Sequence, residues 1–395
     1  MKHTCVLIKN EHRKIKGLNV GHGSPARINV NIGISNNYSC KDLELEKVKI
    51  AVDMGADTLM DLSTLDGTGK FRETLIKSID KPLGTVLIYE VMAKNVLQKK
   101  DITEITPEEI IKTFENQAKQ GVDFSTIHAD IDSSSMSLAK KSTRKILITS
   151  RGGAIVSEIM ERTKLENPLL ESFEKLLEIA KDHDVTLSIG ASLRPGCIDD
   201  AMDNLHLRDL SNQRKLVKMA LKMGVKVIAE GLGHADLNSI REYTLLAKKN
   251  LFGIPLHFLG PLPTDIAAPY DHIAGAIGIV LARNAGADLF SILTPAEHLM
   301  CPTSDNIREG VIAARIGAHI ADIDLAEFRS QDSFVGKNRG EKGRCNITEG
   351  LMFPNDANKL AELYSQTKEC TMCSSMCALK KIKKYSISKE QNAII

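Results

Sequence analysis

One arrangement of apolar and polar positions returns along the chain. An amphipathic stretch of helical period closes on glycine and a small or acidic residue. A short apolar run follows and ends on polar side chains. The arrangement reads AVDMGADTLMDLS from Ala51, AKQGVDFSTIHA from Ala118, ALKMGVKVIAEG from Ala220 and LARNAGADLFSILTP from Leu281. Glycine at a helix end takes the left-handed conformation at no steric cost. The uninterrupted apolar run suits a parallel strand covered on both faces. Helix and strand alternating through short links predict an α/β architecture with a parallel sheet. The candidate strands are 28–32, 58–62, 84–89, 125–128, 146–149, 186–189, 226–229, 256–259 and 289–293. A (β/α)8 TIM-type barrel needs eight, so one of them is expected to lie outside it. A doubly wound open sheet is the alternative, but no GxGxxG follows a first strand to support it.

The strand ends carry chemically diverse polar groups: Asn29 and Asn31, Asp61, Tyr89, His128, Ser150 and Arg151, Arg194, Glu230, and His257. In a (β/α)8 barrel that rim holds the catalytic groups, although any strand end must meet a polar loop. The string SRGG from Ser150 follows an expected buried strand. Its glycines Gly152 and Gly153 leave backbone N–H groups open, and Arg151 adds a forked cation, so a phosphate fits. LRPG from Leu193 offers a second cation, Arg194.

After Pro302 the pattern changes. Positions 305–325 read as one helix, with Ile307, Val311, Ile312, Ile316 and Ile320 on an apolar stripe. The polar, Gly/Lys-rich stretch 327–347 reads as a mobile loop or irregular helix, and 356–366 as a further helix. The expected division is a short N-terminal segment (1–25), a barrel (26–302), a C-terminal helical region (303–366) and a Cys-rich cluster-binding loop with a tail (367–395).

Composition narrows the function classes. The 395 residues are 43% hydrophobic and 26% charged, with a formal net charge of +2 and no Trp. That balance gives no electrostatic or stacking case for nucleic acid or a membrane surface. The N-terminus has no apolar core of a signal peptide, and the longest apolar run, near 274–282, is far short of a span. A cytoplasmic location is expected.

Eight Cys are present, and five are scattered singly (Cys5, Cys40, Cys197, Cys301 and Cys345). Cys370, Cys373 and Cys377 crowd into eight residues. In a reducing compartment such crowding favours a metal over a disulfide. Three close thiolates can hold three irons of a [4Fe–4S] cluster and leave the fourth open to S-adenosylmethionine. A structural zinc knot on a barrel hydrolase is the competing reading, and it lacks a fourth ligand in the last 18 residues. His234, in EGLGH from Glu230, and His298, in TPAEH from Thr294, each stand just past a strand end. Two imidazoles on one rim can bind Zn²⁺ or Fe²⁺, though each also suits an ordinary polar loop.

As an ordered set these segments resemble one family. They are RINVNIG from Arg27, GADTLMDLST from Gly55, TIHA from Thr126, SRGG, LRPG, EGLGH, LGPLPTD from Leu259, YDHI from Tyr270, TPAEHL from Thr294 and the Cys triplet. The family is that of the phosphomethylpyrimidine synthases of thiamine biosynthesis, with paralogues that make 5-hydroxybenzimidazole for the cobamide lower ligand. The resemblance, over about residues 17–380, implies a radical S-adenosylmethionine enzyme, a carbon–carbon lyase, acting on 5-aminoimidazole ribonucleotide. It implies a (β/α)8 barrel with a C-terminal cluster-binding region, a homodimer, and an electron donor such as flavodoxin or ferredoxin.

It places Asn29 or Asn31, Met60, Tyr89, His128, Ser150, Arg151, Gly152, Arg194, Glu230 and His257 at substrate, with Glu230 and His128 as catalytic side chains. It places a mononuclear divalent metal on His234 and His298, and the cluster on Cys370, Cys373 and Cys377. The chain departs from the family pattern at four points. The second gap of the Cys triplet is one residue short of CxxCxxxxC, Ala191-Ser192 replaces Asp-Gly, Leu232 replaces Pro, and His257 replaces Tyr. An intact barrel with altered rim contacts points to the benzimidazole branch, with the pyrimidine branch as the alternative. A paralogue that works only beside a partner enzyme is a third reading, kept open by the lost Asp at Ala191.

Overall fold

The computed structural model describes residues 3–35, 40–65, 67–342, 348–364 and 372–382. The chain divides into two compact units, with the boundary in sequence between Ala321 and Asp322.

The first unit opens with an antiparallel pair, β1 (Cys5–Ile8) and β2 (Leu18–Gly21). Eight parallel strands then close into a barrel: β3 (Arg27–Ile32), β4 (Thr58–Asp61), β5 (Leu83–Val86), β6 (Phe124–Ile127), β7 (Thr186–Ile189), β8 (Val227–Gly231), β9 (Leu256–Leu259) and β10 (Leu289–Ser291). They lie in sequence order, and β10 pairs back onto β3 with Ser291 opposite Asn29. Every residue of β4 to β8 is buried, as strands covered on both faces require.

The outer helices are α1 (Lys41–Asp53), α2 (Thr68–Ser78), α3 (Leu87–Leu97), α4 (Pro107–Gln120), α5 (Ser133–Ala139), α6 (Arg151–Thr163), α7 (Pro168–Glu171), α8 (Phe173–Asp182), α9 (Asn204–Met223), α10 (Leu237–Asn250), α11 (Asp271–Asn284) and α12 (Ser304–Ala321). The recurring glycine behaves as its position requires. Gly55, Gly121, Gly224 and Gly286, one in each repeat, all have positive φ. The acidic residue that follows has its own task. Asp57, Asp123 and Asp288 each accept the first free N–H of the neighbouring strand, from Ile28, Leu83 and Leu256, at 2.8, 2.8 and 2.9 Å.

The N-terminal segment braces the same end of the barrel. Asn10, fully buried, donates to Asp123 through its backbone and to the carbonyls of Ala118 and Val122 through its side chain. Arg13 sets its guanidinium 3.3 Å from Asp123 and donates to the carbonyls of Ile79 and Lys81.

Four expectations need correction. The ninth candidate strand, 146–149, is an irregular loop in which Ile146 and Leu147 are exposed, so SRGG does not follow a buried strand. Its apolar run mimicked a strand, but only Ile148 packs partly onto the core. Tyr89 does not end a strand. β5 turns into α3 at Leu87, and Tyr89 sits in the first turn of that helix. His257 lies inside β9, opposite Glu230, rather than at the rim. The barrel unit also runs past 302, because α12 packs on α11 and α1 as the helix of the eighth strand.

In the second unit 327–347 is not a loop over its described part, because α13 (Ala326–Lys342) is a helix without a buried residue. α14 (Pro354–Tyr364) follows. Cys373 and Cys377 then flank a 3-10 turn, Ser374–Met376. Cys370 lies outside the described residues.

Candidate active site

At the C-terminal end of the barrel a cavity of about 590 Å³ opens, with Asn31, Arg151, Arg194, His234 and His298 on its walls. Beneath it the barrel interior is polar. Thr58 Oγ1 donates to Asn29 Oδ1 (2.9 Å), and Asn29 Nδ2 donates to Asn31 Oδ1 (2.9 Å) and Ser291 Oγ (3.0 Å). His257 Nε2 lies 3.0 Å from the same Ser291 hydroxyl. Of the two asparagines in β3, Asn31 therefore faces the cavity and Asn29 holds it in place. Met60 is buried opposite Asn31 on β4.

A second group sits where β6, β7 and β8 end. Thr126 Oγ1 donates to Glu230 Oε1 at 2.7 Å. Burial raises the Glu230 carboxyl to about 7, with the Arg194 cation opposing it. A buried carboxyl that titrates near neutrality can both give and take a proton. His128 is also buried, which pulls its pKa down to about 4, so its ring is neutral at pH 7. Its Nδ1 has no hydrogen-bond partner among the described residues. The ring lies flat against Gly152, where a Cβ would stand 2.3 Å from His128 Cε1.

That contact is made by the start of α6. Ser150 caps the helix, its Oγ accepting from Gly153 N at 3.1 Å. Arg151 places its guanidinium 5.4 Å from the centre of the Tyr89 ring. Burial raises the Tyr89 hydroxyl, with Arg151 and Arg194 opposing it. A helix N-terminus with two nearby cations can hold an anion, the backbone N–H groups and both charges acting together.

The histidine pair comes together as anticipated. The His234 and His298 rings are 5.1 Å apart between centres. His234 Nδ1 lies 2.7 Å from Asp265, and His298 Nδ1 lies 3.1 Å from Asp271. A carboxylate on Nδ1 turns Nε2 outward as a ligand. Burial lowers the His234 pKa, opposed by Asp265, and so favours the neutral, ligating form. The donor set fits a divalent ion of the Zn²⁺ or Fe²⁺ type that completes its shell with water or substrate. Cys373 and Cys377, four residues apart across one turn, have the donor type of an iron–sulfur loop.

A model of the Radical SAM ThiC family matches residues 1–384. The chain belongs to the radical SAM ThiC family. It is 41% identical over 388 residues to the phosphomethylpyrimidine synthase of Desulfotalea psychrophila, which covers 95% of this chain and 88% of that protein. It is 41% identical over 394 residues to the synthase of Ignicoccus hospitalis, at 98% and 90% coverage. It is 39% identical over 391 residues to that of Fusobacterium nucleatum, at 97% and 89%. Membership of the radical SAM ThiC family implies an enzyme that works with an iron–sulfur cluster and S-adenosylmethionine. The relatives carry the pyrimidine name, which favours the pyrimidine branch over the benzimidazole branch.

The departures that suggested the other branch are absorbed into the interior. Ser192 donates to Asp130 from both its N–H (2.6 Å) and its hydroxyl (2.9 Å), and the Ala191 carbonyl accepts from Arg194 (3.0 Å). Sequence reading gave no role to Asp130, Asp265 or Asp271. The last two stand within quoted segments, LGPLPTD and YDHI. The need of each ligating histidine for a carboxylate was the signal that could have found them. Lys47 and Glu44, a buried pair 2.6 Å apart on the cavity wall, left no sequence signal.

Proposed function

We propose that the chain is a phosphomethylpyrimidine synthase, rearranging 5-aminoimidazole ribonucleotide into the pyrimidine phosphate precursor of thiamine. The observation that carries this reading is the identity of about 40% to three such synthases over nearly the whole chain. Arg151, Arg194 and the N-terminus of α6 receive the substrate phosphate, because they join two cations to open backbone donors on one wall. Asn31, fixed by Asn29, hydrogen-bonds the ribonucleotide. Glu230 moves protons near neutrality, and neutral His128 offers its unpartnered Nδ1. Tyr89, stacked on Arg151, holds that cation over the floor.

Cys370, Cys373 and Cys377 would hold a [4Fe–4S] cluster, which with S-adenosylmethionine would supply radical chemistry to the ribose. His234 and His298 would hold a divalent ion, Zn²⁺ or Fe²⁺, which would supply Lewis-acid chemistry. The working form is a homodimer supplied with electrons by a flavodoxin or ferredoxin.

The test is to reconstitute the protein anaerobically and supply ribonucleotide, S-adenosylmethionine and a reductant. The pyrimidine phosphate is the expected product. A fluorescent benzimidazole instead would move the chain to the other branch. A colourless, zinc-only protein that leaves the cofactor uncleaved would overturn the radical reading. Cys377→Ala should abolish cofactor cleavage while the barrel stays folded.

A further inference from the structure

On the N-terminal face of the barrel, at the end opposite the cavity, three metal-ligating side chains converge. Glu11 and His12 lie in the segment between β1 and β2. His183 caps the C-terminus of α8, just before β7. Glu11 Oε1 is 2.7 Å from His183 Nδ1 and 3.4 Å from His12 Nε2. One donor atom from each residue falls within 4.8 Å of the other two, and the imidazole rings are 5.4 Å apart. Zn²⁺ needs ligand atoms about 2 Å from itself. The separations therefore require only a small turn of three side chains, of which Glu11 and His12 are exposed and His183 is half-buried.

The backbone beneath these side chains is held on both sides. Glu11 N donates to the His183 carbonyl at 3.2 Å. His12 N donates to Asn10 Oδ1 at 2.8 Å, and Asn10 is anchored by the buried bonds described above. The His183 N–H closes α8 onto Ile179. Three ligands on a fixed frame lose little freedom when they close on an ion. The donor types also choose the ion. Two imidazoles with one carboxylate suit Zn²⁺, Co²⁺ or Ni²⁺, whereas Mg²⁺ and Ca²⁺ prefer all-oxygen shells. Without an ion the Glu11–His183 contact is an ordinary hydrogen bond, and binding would replace its proton with the metal.

We infer that Glu11, His12 and His183 form a divalent transition-metal site, with Zn²⁺ as the fitting ion, that ties the N-terminal segment to the α8–β7 turn. It is separate from the His234–His298 pair and does not depend on the function proposed above.

The full-length chain, stripped with a chelator, is dialysed against Zn²⁺ and its bound metal counted. His12→Gln and His183→Gln should each weaken one equivalent at least tenfold, and His234→Ala should remove a different one. Zn²⁺ should raise the thermal midpoint of the wild type and of His234→Ala more than that of His12→Gln. Because His12 is half exposed, His12→Gln keeps the test open if the His183 variant folds poorly. Unchanged stoichiometry and an unchanged Zn²⁺-induced shift in His12→Gln would overturn the inference.

Discussion

A Cβ on Gly152 would stand 2.3 Å from the His128 ring, and no flexible side-chain end is there to yield. The start of α6 can approach His128 only because this residue is glycine. Gly152→Ala must push the imidazole or the helix start aside, which costs about 1–3 kcal/mol of stability as overpacking. Displacing a positioned group by about 1 Å can cost roughly 10²-fold in rate. We expect turnover to fall by that order while the urea midpoint moves modestly, and activity within twofold of wild type would show that His128 need not be held there.

Glu230 gives a pH-dependent prediction. Burial lifts its carboxyl from an ordinary 4.5 to about 7, so between those values the folded chain holds a proton that the unfolded chain has released. The contribution is fully present below about 4.5 and is lost as pH rises through 7, on the order of 3 kcal/mol in all. Glu230→Gln removes that slope. In denaturant titrations the variant should gain on the wild type from pH 5 to pH 8, while losing turnover because no proton can be exchanged.

Among the elements, the short apolar runs made all eight barrel strands legible, and the amphipathic stretches before them most flanking helices, because burial on both faces leaves a bare apolar run. The same criterion failed at 146–149, where an apolar run lies exposed and only tertiary contacts could reveal that. It also stretched β5 as far as Tyr89, since a strand and a buried helix start are equally apolar. The histidine pair and the arginines were legible as motifs. The carboxylates behind them were not, because a positioning role depends on distances across the fold.

The acidic residue found in three of the four units now has a role that can be tested. Asp123→Ala removes the acceptor of the Leu83 and Asn10 N–H groups and leaves Arg13 buried beside no carboxylate. Breaking a buried pair of this kind costs about 3–5 kcal/mol, and the urea midpoint should drop accordingly. α13 has no buried residue, so little packing protects it. Its amides should exchange far faster than those of α9, which buries residues along its whole length.

For the whole molecule, the proposed homodimer has a candidate face on α11 and α12. α11 leaves Ile273 and Ile277 exposed, one turn apart, and its partner helix α12 leaves Ile316 and Ile320 exposed in the same way. Ile266, 91% exposed, and Tyr270 precede α11. Apolar side chains repeated at helical spacing on two packed helices mark an association surface. The proposed occupant is a second copy of this chain, and the arrangement gives that copy a bearing on the site. Tyr270 caps α11, and the next residue, Asp271, fixes His298. Covering this face would therefore steady the carboxylate that aims a candidate metal ligand. Light scattering at micromolar concentration should give twice the 43.3 kDa chain mass. Two negative charges facing their own copies across a desolvated patch are strongly unfavourable, so an Ile273→Glu, Ile277→Glu double variant should be monomeric. Its barrel should remain folded, because both side chains start in solvent. If dimerisation steadies Asp271, the monomer should also bind Zn²⁺ more weakly at His234 and His298. A wild-type chain that is monomeric under the same conditions would refute the dimer.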